Sequence, residues 1–434
     1  MRAANIKAKL LKALGLAVAA ALLTLAPAQA GTGAKFKVLY SQCAEANCAD
    51  GRGGSSGPLV EDAAGNFYGI TEQDGVAFAL KHTDSGKFKY RAILTFPGGA
   101  PPGGMIIDTQ GNLYGWAYEG FYKMTYGHGS HHNRWAPEFP TLNCSDPPCS
   151  GTDPRGTLTY AGAASGAPWD GASPLYGVMS RGGANNAGTV YELTPGESGW
   201  SYTQLYSFCA QQSCADGSTP VGGVLLDQSG VLYGTTGEGG CSSSCNIDGG
   251  AGVAFELSSS GGSWKETVLH TFCSLAQCAD GENPTANLAQ DAAGNLFGVA
   301  GWGGGTGKHT GGALYKIIPN GAQSQQTVLY DFCKLKDCKD GQSPVGAPLL
   351  DSAGNIFGVT DEGGGNDEVT NGAGIAYEWT AGNLRVLHRF CSQASCADGA
   401  VPFAGLVQNG GGQLYGTAEG GGAFDEGVVF ELTP

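Results

Sequence analysis

The 434-residue sequence predicts an all-β protein, a seven-bladed β-propeller of four-stranded blades. Three observations predict it. An aromatic–glycine step inside a short apolar run recurs seven times, ending at Gly69, Gly115, Gly177, Gly234, Gly298, Gly358 and Gly416. Around each step lie four strand-like runs of five to nine residues, rich in Val, Leu, Thr and aromatics and separated by Gly, Asp, Asn and Ser clusters. The ends of the chain are also complementary: "KFKVLYSQ" near the start reads as a fourth strand, and the closing "GVVFELTP" reads as a third. Pairing residues 35–42 with the last blade would close a ring and leave no blade incomplete. The alternatives, a β-solenoid or two smaller propellers, have no need of this offset.

Residues 1–30 read as a secretory signal peptide. Arg2, Lys7, Lys9 and Lys12 precede the apolar "LGLAVAAALLTLAP", and "AQA" at 28–30 has small residues where cleavage requires them. The apolar run falls short of the ~20 residues that span a bilayer, and nothing after residue 31 is apolar for long enough to span. Cleavage removes four positive charges and no acid, taking the net charge from −15 to −19. Such a surface disfavours nucleic acid and anionic membrane, both polyanions. It admits cationic ligands or divalent metals, and it keeps an exported protein soluble.

Residues 31–434 read as a single repeat domain, with blades at about 57–96, 103–142, 156–208, 222–272, 285–332, 345–390, and 403–434 plus 35–42. In the fourth unit the strands are "GVLLD", "VLYGTT", "GVAFEL" and "WKETVLHTF". The first two strands of a unit are joined by D-x-x-G-N, as in "DAAGN" at 62–66 and 291–295. Asp and Asn bond nearby backbone in such turns, and Gly takes positive φ without strain.

The fourth strand runs into a two-cysteine loop: "CAEANCADG", "CAQQSCADG", "CSLAQCADG", "CKLKDCKDG" and "CSQASCADG". Before blade two "FPGGAPPGG" stands in its place, and before blade three the looser "CSGTDP". Fourteen cysteines form seven close pairs: Cys43/Cys48, Cys144/Cys149, Cys209/Cys214, Cys241/Cys245, Cys273/Cys278, Cys333/Cys338 and Cys391/Cys396. An even count beside an export signal points to disulfides. Zinc would want closer cysteine spacing and nearby His, which most copies lack. Pairing within each loop is the simplest arrangement, worth ~2 kcal/mol per ring by loop entropy.

The pattern "VLYxFC…CADG…GLxxDxxGNLYGTT…GGG…GxVFELTP" resembles the GloVer tandem repeat of secreted bacterial "choice-of-anchor" proteins, over about residues 36–434. The resemblance implies an exported protein. It implies no particular activity. Relatives often end in a surface anchor, whereas this sequence ends at Pro434, directly after a strand.

Strand order places the two-cysteine loops and the Gly-rich inserts at 237–251, 301–312, 361–374 and 419–427 on one face, as a stapled crown around one mouth of the ring. A rigid scaffold presenting loops is a natural binding surface. Its expected ligand-binding residues are Trp302, His309, Asp361, Glu362, Asp425 and Glu426. The C-x-D-G aspartates Asp50, Asp216, Asp280, Asp340 and Asp398 could ring the channel and hold a hard cation such as Ca2+. They could equally close their own turns on backbone amides, and repetition in every blade favours that structural role. His128, His131, His132 and Trp135 form a cluster in the irregular second unit that reads as a solvated loop on the opposite face. "GGSSG" at 53–57 has the G-x-S-x-G spelling without the strand–helix setting of a nucleophile elbow. No catalytic residues are assigned. The expected function is a monomeric, secreted, non-catalytic propeller that binds a glycan or another extracellular surface. The alternatives are a polysaccharide lyase, hydrolase or lactonase with carboxylates at the channel mouth, and a structural or adhesive envelope protein.

Overall fold

A computed structural model describes residues 33–96, 103–127, 135–144, 151–240, 249–305, 311–365 and 371–434. The signal peptide expected at 1–30 lies outside the described residues.

Seven sheets succeed one another along the chain and form a seven-bladed β-propeller. Blade six shows the plan: Gln342–Leu350, Ile356–Glu362, Ile375–Thr380 and Asn383–Arg389 pair antiparallel in sequence order, innermost first. The D-x-x-G-N hairpins form as their chemistry requires. Asp351 Oδ1 accepts the amides of Ala353 (2.9 Å) and Asn355 (2.8 Å), and Asp291 does the same for Ala293 and Asn295. The aromatic–glycine step has a steric origin. A Cβ on Gly358 would meet the Tyr377 hydroxyl at 2.4 Å, so the glycine makes room for the ring of the neighbouring strand. The preceding aromatic packs between blades, as where Phe67 and Tyr415 approach to 4.2 Å between ring centroids.

The last blade combines both ends of the described chain. Val407–Gln408, Leu414–Ala418 and Val428–Thr433 are joined by Lys35–Ser41, antiparallel, with Lys35 opposite Thr433 and Ser41 opposite Val428. Blade three departs from the four-strand expectation. Leu142–Cys144 adds a fifth strand, parallel to Gly199–Ser207. The outer strand of blade two, Trp135–Glu138, is short; the chain then crosses to the edge of blade three, where Trp200 N–H donates to Thr141 O at 3.0 Å. The added strand covers an edge that would otherwise present unpaired backbone groups.

Around the axis the innermost segments of adjacent blades touch backbone to backbone. A Cβ on Gly156 (φ +64°) would lie 2.1 Å from Gly223 N, and one on Gly103 would lie 2.2 Å from Gly156 O. On one face the Gly-rich turns are bonded to the two-cysteine loops. The amides of Gly240, Gly304, Gly364 and Gly422 donate to the carbonyls of Cys214, Cys278, Cys338 and Cys396 at 2.8–2.9 Å. In these four blades, loop and turn are therefore bonded into one unit.

Candidate functional site

The crown is built from repeated parts. Disulfides join Cys43–Cys48, Cys209–Cys214, Cys273–Cys278, Cys333–Cys338 and Cys391–Cys396, each within its own loop. Cys144 is also disulfide-bonded. Cys149, Cys241 and Cys245 lie outside the described residues. Under each of the five loops sits a buried aspartate: Asp50, Asp216, Asp280, Asp340 or Asp398. Its two oxygens accept the amides of the first two residues after the first cysteine, as with Ala44 (2.9 Å) and Glu45 (3.0 Å) on Asp50. A third donor comes from the strand before in four loops, Tyr40, Tyr206 or Tyr330 through O–H and His270 through Nε2, at 2.6–3.0 Å, while in the fifth His388 Nε2 approaches Asp398 Oδ2 to 2.9 Å. Burial works to raise Asp280, but bonds from His270, Ser274 and the Leu275 amide outweigh it and hold the carboxyl at about 2. These aspartates are turn anchors in separate loops, with their oxygens engaged by their own loop.

Where the chain enters blades three to seven, a non-glycine residue takes positive φ: Asp153, Thr219, Asn283, Ser343 and Val401, at 54–64°. For a β-branched residue this costs energy. The compensation is a bond to the preceding blade: the amides of Thr219, Asn283, Ser343 and Val401 donate to Ala187, Ala251, Gly311 and Ala373 carbonyls at 2.8–3.0 Å.

The side chain two residues further on lines the axis. Ser56, Arg155, Val221, Thr285, Val345 and Phe403 occupy that position in six blades and line an axial pocket of about 450 Å3. The blade-two counterpart lies outside the described residues. Trp302 stands on the rim, 46% exposed, and Phe403 is 43% exposed. Asn283, Asn287 and Ser343 add polar walls. Arg155, paired to Asp153 at 2.8 Å, is the one cation among the described lining residues, and Asp361 the one anion.

Lining up the aromatic–glycine steps exposes a second asymmetry. The fourth residue after the aromatic is Glu72, Tyr118, Ser180, Gly237, Gly301, Asp361 and Glu419 in blades one to seven. Three consecutive blades, six, seven and one, therefore carry carboxylates, while blades four and five carry glycine beside Trp302. Burial, then the charge of Glu362, pushes Asp361 up to about 6, against the effect of a Ser343 hydrogen bond. Asp361 Oδ1 is buried without a hydrogen-bond partner. Glu419 rises to about 8, first through burial, then through its hydrogen bond to Glu72 and the charges of Glu72 and Asp361. Burial and the neighbouring carboxyls thus favour the protonated form of Glu419.

Of the residues singled out in the sequence, Trp302 and Asp361 reach the pocket. Glu362 is tied to the rim by Gln342 Nε2 (2.9 Å) and Asn371 Nδ2 (3.0 Å). Asp425 and Glu426 sit away from the axial pocket. Asp425 Oδ1 accepts Gly421 N–H at 3.2 Å, and Glu426 lies beside the Cys43–Cys48 disulfide. His309, His128, His131 and His132 lie outside the described residues. Arg155, Asn283, Phe403, Glu72 and Glu419 were not singled out. Their signal was present: each departs from the residue type of its counterparts once the repeats are superposed. Ser56 of "GGSSG" lines the pocket and donates through Oγ to Gly103 O at 3.1 Å.

Fold and site together define a disulfide-capped, seven-bladed β-propeller with an axial pocket on its stapled face. The sequence pattern of the Gloeobacter/Verrucomicrobia repeat matches residues 152–369, and the chain belongs to that repeat family. Among curated proteins none matches the sequence. Among solved structures the chain is similar to virginiamycin B lyase from Staphylococcus aureus, with 11% identity, a TM-score of 0.53, and coverage of 92% of this chain and 99% of that one. It is also similar to the extracellular domain of a one-component system from B. thetaiotaomicron, with 15% identity, a TM-score of 0.55, and coverage of 91% of this chain and 39% of that one. The extracellular domain of a hybrid two-component system from the same organism gives 11% identity, a TM-score of 0.52, and 92% and 41% coverage. This chain spans about two fifths of each of those extracellular domains. At these identities the likeness is one of fold. Among the described residues no helix is long and apolar enough to cross a membrane.

Proposed function

We propose that this protein is an exported binding propeller whose axial pocket takes a carbohydrate. One observation carries the reading: Trp302 is half-exposed on the pocket rim at a repeat position where the other blades place Gln73, Glu119, Arg181, Glu238, Glu362 and Gly420. An exposed indole on a rigid rim suits the apolar face of a sugar ring. The same pocket sets Asp361, Asn283 and Ser343 where hydroxyl groups need acceptors and donors. Its volume falls in the range of small-molecule sites, ~300–1,000 Å3. Oxidised loops and the basic-then-apolar leader support export, to the periplasm or beyond.

A second reading has its own observation. Glu419 is hydrogen-bonded to Glu72 near Asp361, burial and those neighbours raise its pKa, and that trio breaks the repeat on three adjacent blades. Clustered carboxyls that include one with a raised pKa are the equipment of acid–base chemistry on polysaccharides or lactones. The test is a glycan array probed with residues 31–434, with Ca2+ and with chelator, beside Trp302→Ala. Defined binding that falls at least tenfold in Trp302→Ala supports the carbohydrate reading. Product release from the bound glycan moves the assignment to the enzyme. No binding in either condition overturns the carbohydrate reading and leaves a protein partner or an envelope role.

A further inference from the structure

Away from the pocket, one acidic side chain is buried with an oxygen unaccounted for. Glu266 lies in the outer strand of blade four, Ser263–Thr271, and is 8% exposed. Gln211 Nε2 reaches its Oε2 at 3.4 Å, while Oε1 is buried with no hydrogen-bond partner. Two other blades show what a polar residue does there. Glu266 pairs in register with Leu257, as Tyr90 pairs with Leu80 in blade one and Gln326 with Ile317 in blade five. Blades three, six and seven place Tyr202, Leu384 and Phe36 at this register position, while the blade-one and blade-five residues donate to the backbone of the loop through which the chain enters their own blade. Tyr90 O–H bonds Asp50 O at 2.6 Å, and Gln326 Nε2–H bonds Asp280 O at 3.0 Å. The corresponding loop of blade four carries Asp216 and Gln211.

We infer that Glu266 is carried as a neutral carboxylic acid whose O–H donates to the Asp216 carbonyl, a proton-dependent latch between blade four and the loop arriving from blade three. An ionised carboxylate has no donor and cannot take the place of a phenol or an amide. The titratable groups facing Glu266 are all acidic or neutral: Asp216 in the loop, Tyr206 on the outer strand of blade three, and Glu256 on the adjacent strand of blade four. Burial first, then Asp216 and Glu256, raises its pKa to about 8, in agreement with the geometry. The stabilisation is complete below the unfolded value of 4.5, falls as pH rises, and is gone above about 8.

The test uses residues 31–434 as wild type, Glu266→Gln and Glu266→Leu, with thermal unfolding followed from pH 5 to pH 9. Glu266→Gln should match wild type near pH 5 and exceed it increasingly up to pH 8, by about 3 °C or more, with no further gain above. Between those limits the folding constant of wild type relative to Glu266→Gln should fall by up to about tenfold per pH unit. Glu266→Leu, which has no donor, should be less stable than Glu266→Gln at every pH. A wild-type minus Glu266→Gln infrared difference spectrum at pH 7 should contain a protonated-carboxyl band. Parallel pH profiles, absence of that band, or a Glu266→Leu protein as stable as Glu266→Gln would each overturn the latch.

Discussion

Asp280 and Asp361 are both partly desolvated carboxyls, and their surroundings send them in opposite directions. Asp280 has amide, hydroxyl and imidazole donors on both oxygens and is held at about 2. Its folded value lies below the unfolded one. Its contribution is therefore whole at neutral pH, erodes as pH falls through about 4, and vanishes below about 2. Asp280→Asn should cost about 2 kcal/mol at pH 7, read as a shifted denaturant midpoint, and little at pH 2 or below. Asp361 lacks such donors on Oδ1 and is raised to about 6. If ligand hydroxyls bond the ionised form, binding should strengthen from pH 5 to pH 7, and Asp361→Asn should flatten that profile in a titration series. The two fates were not equally legible. The C-x-D-G context announces Asp280 as a loop residue, whereas Asp361 differs from its neighbours only when seven blades are superposed.

At the scale of the element, the two-cysteine loop and the following positive-φ residue act together to pin each blade entry. The loop itself holds positive φ at both cysteines and at the residue preceding the second, as in Cys273, Gln277 and Cys278. Three such residues in six explain why a covalent ring and a buried aspartate recur there: local backbone conformation is unfavourable and needs tertiary support. Thr219 sits at φ 54°, where blade five places Asn283 at 55°. Asn tolerates this region far better than a β-branched residue. Thr219→Asn should therefore raise stability by about 1 kcal/mol, measured by denaturant unfolding, while its amide still bonds Ala187. A drop in stability would show that the Thr219 hydroxyl contact to Glu238, at 3.1 Å, outweighs the backbone term.

At the scale of the whole molecule, the ring depends on a strand distant in sequence from the blade it completes. Lys35–Ser41 covers the outer edge of Val428–Thr433, with Phe36 stacked on His388 of blade six at 3.6 Å between centroids. Removing residues 33–41 would expose that strand edge and unpack a seam between blades. The truncated chain should melt at least about 10 °C lower or aggregate, since bare strand edges pair with other molecules. An unchanged melting temperature would mean that the ring holds without its closing strand.

The sequence by itself determined the blade count, the strand order, the hairpin chemistry and the crown of two-cysteine loops. Those features are written in every repeat and depend on neighbours within a few residues, such as Asp351 with Asn355. The pocket was decided by the tertiary structure. It is lined by one residue from each of several blades, Arg155, Val221, Thr285 and Phe403 among them, which lie far apart in sequence and share no motif. The extra strand Leu142–Cys144 and the acid Glu266 belong to the same class, because each is defined by a neighbour more than fifty residues away that only folding brings near. Repetition makes a scaffold legible in sequence, whereas a site is made where the repetition is broken and the ring gathers the exceptions at its axis.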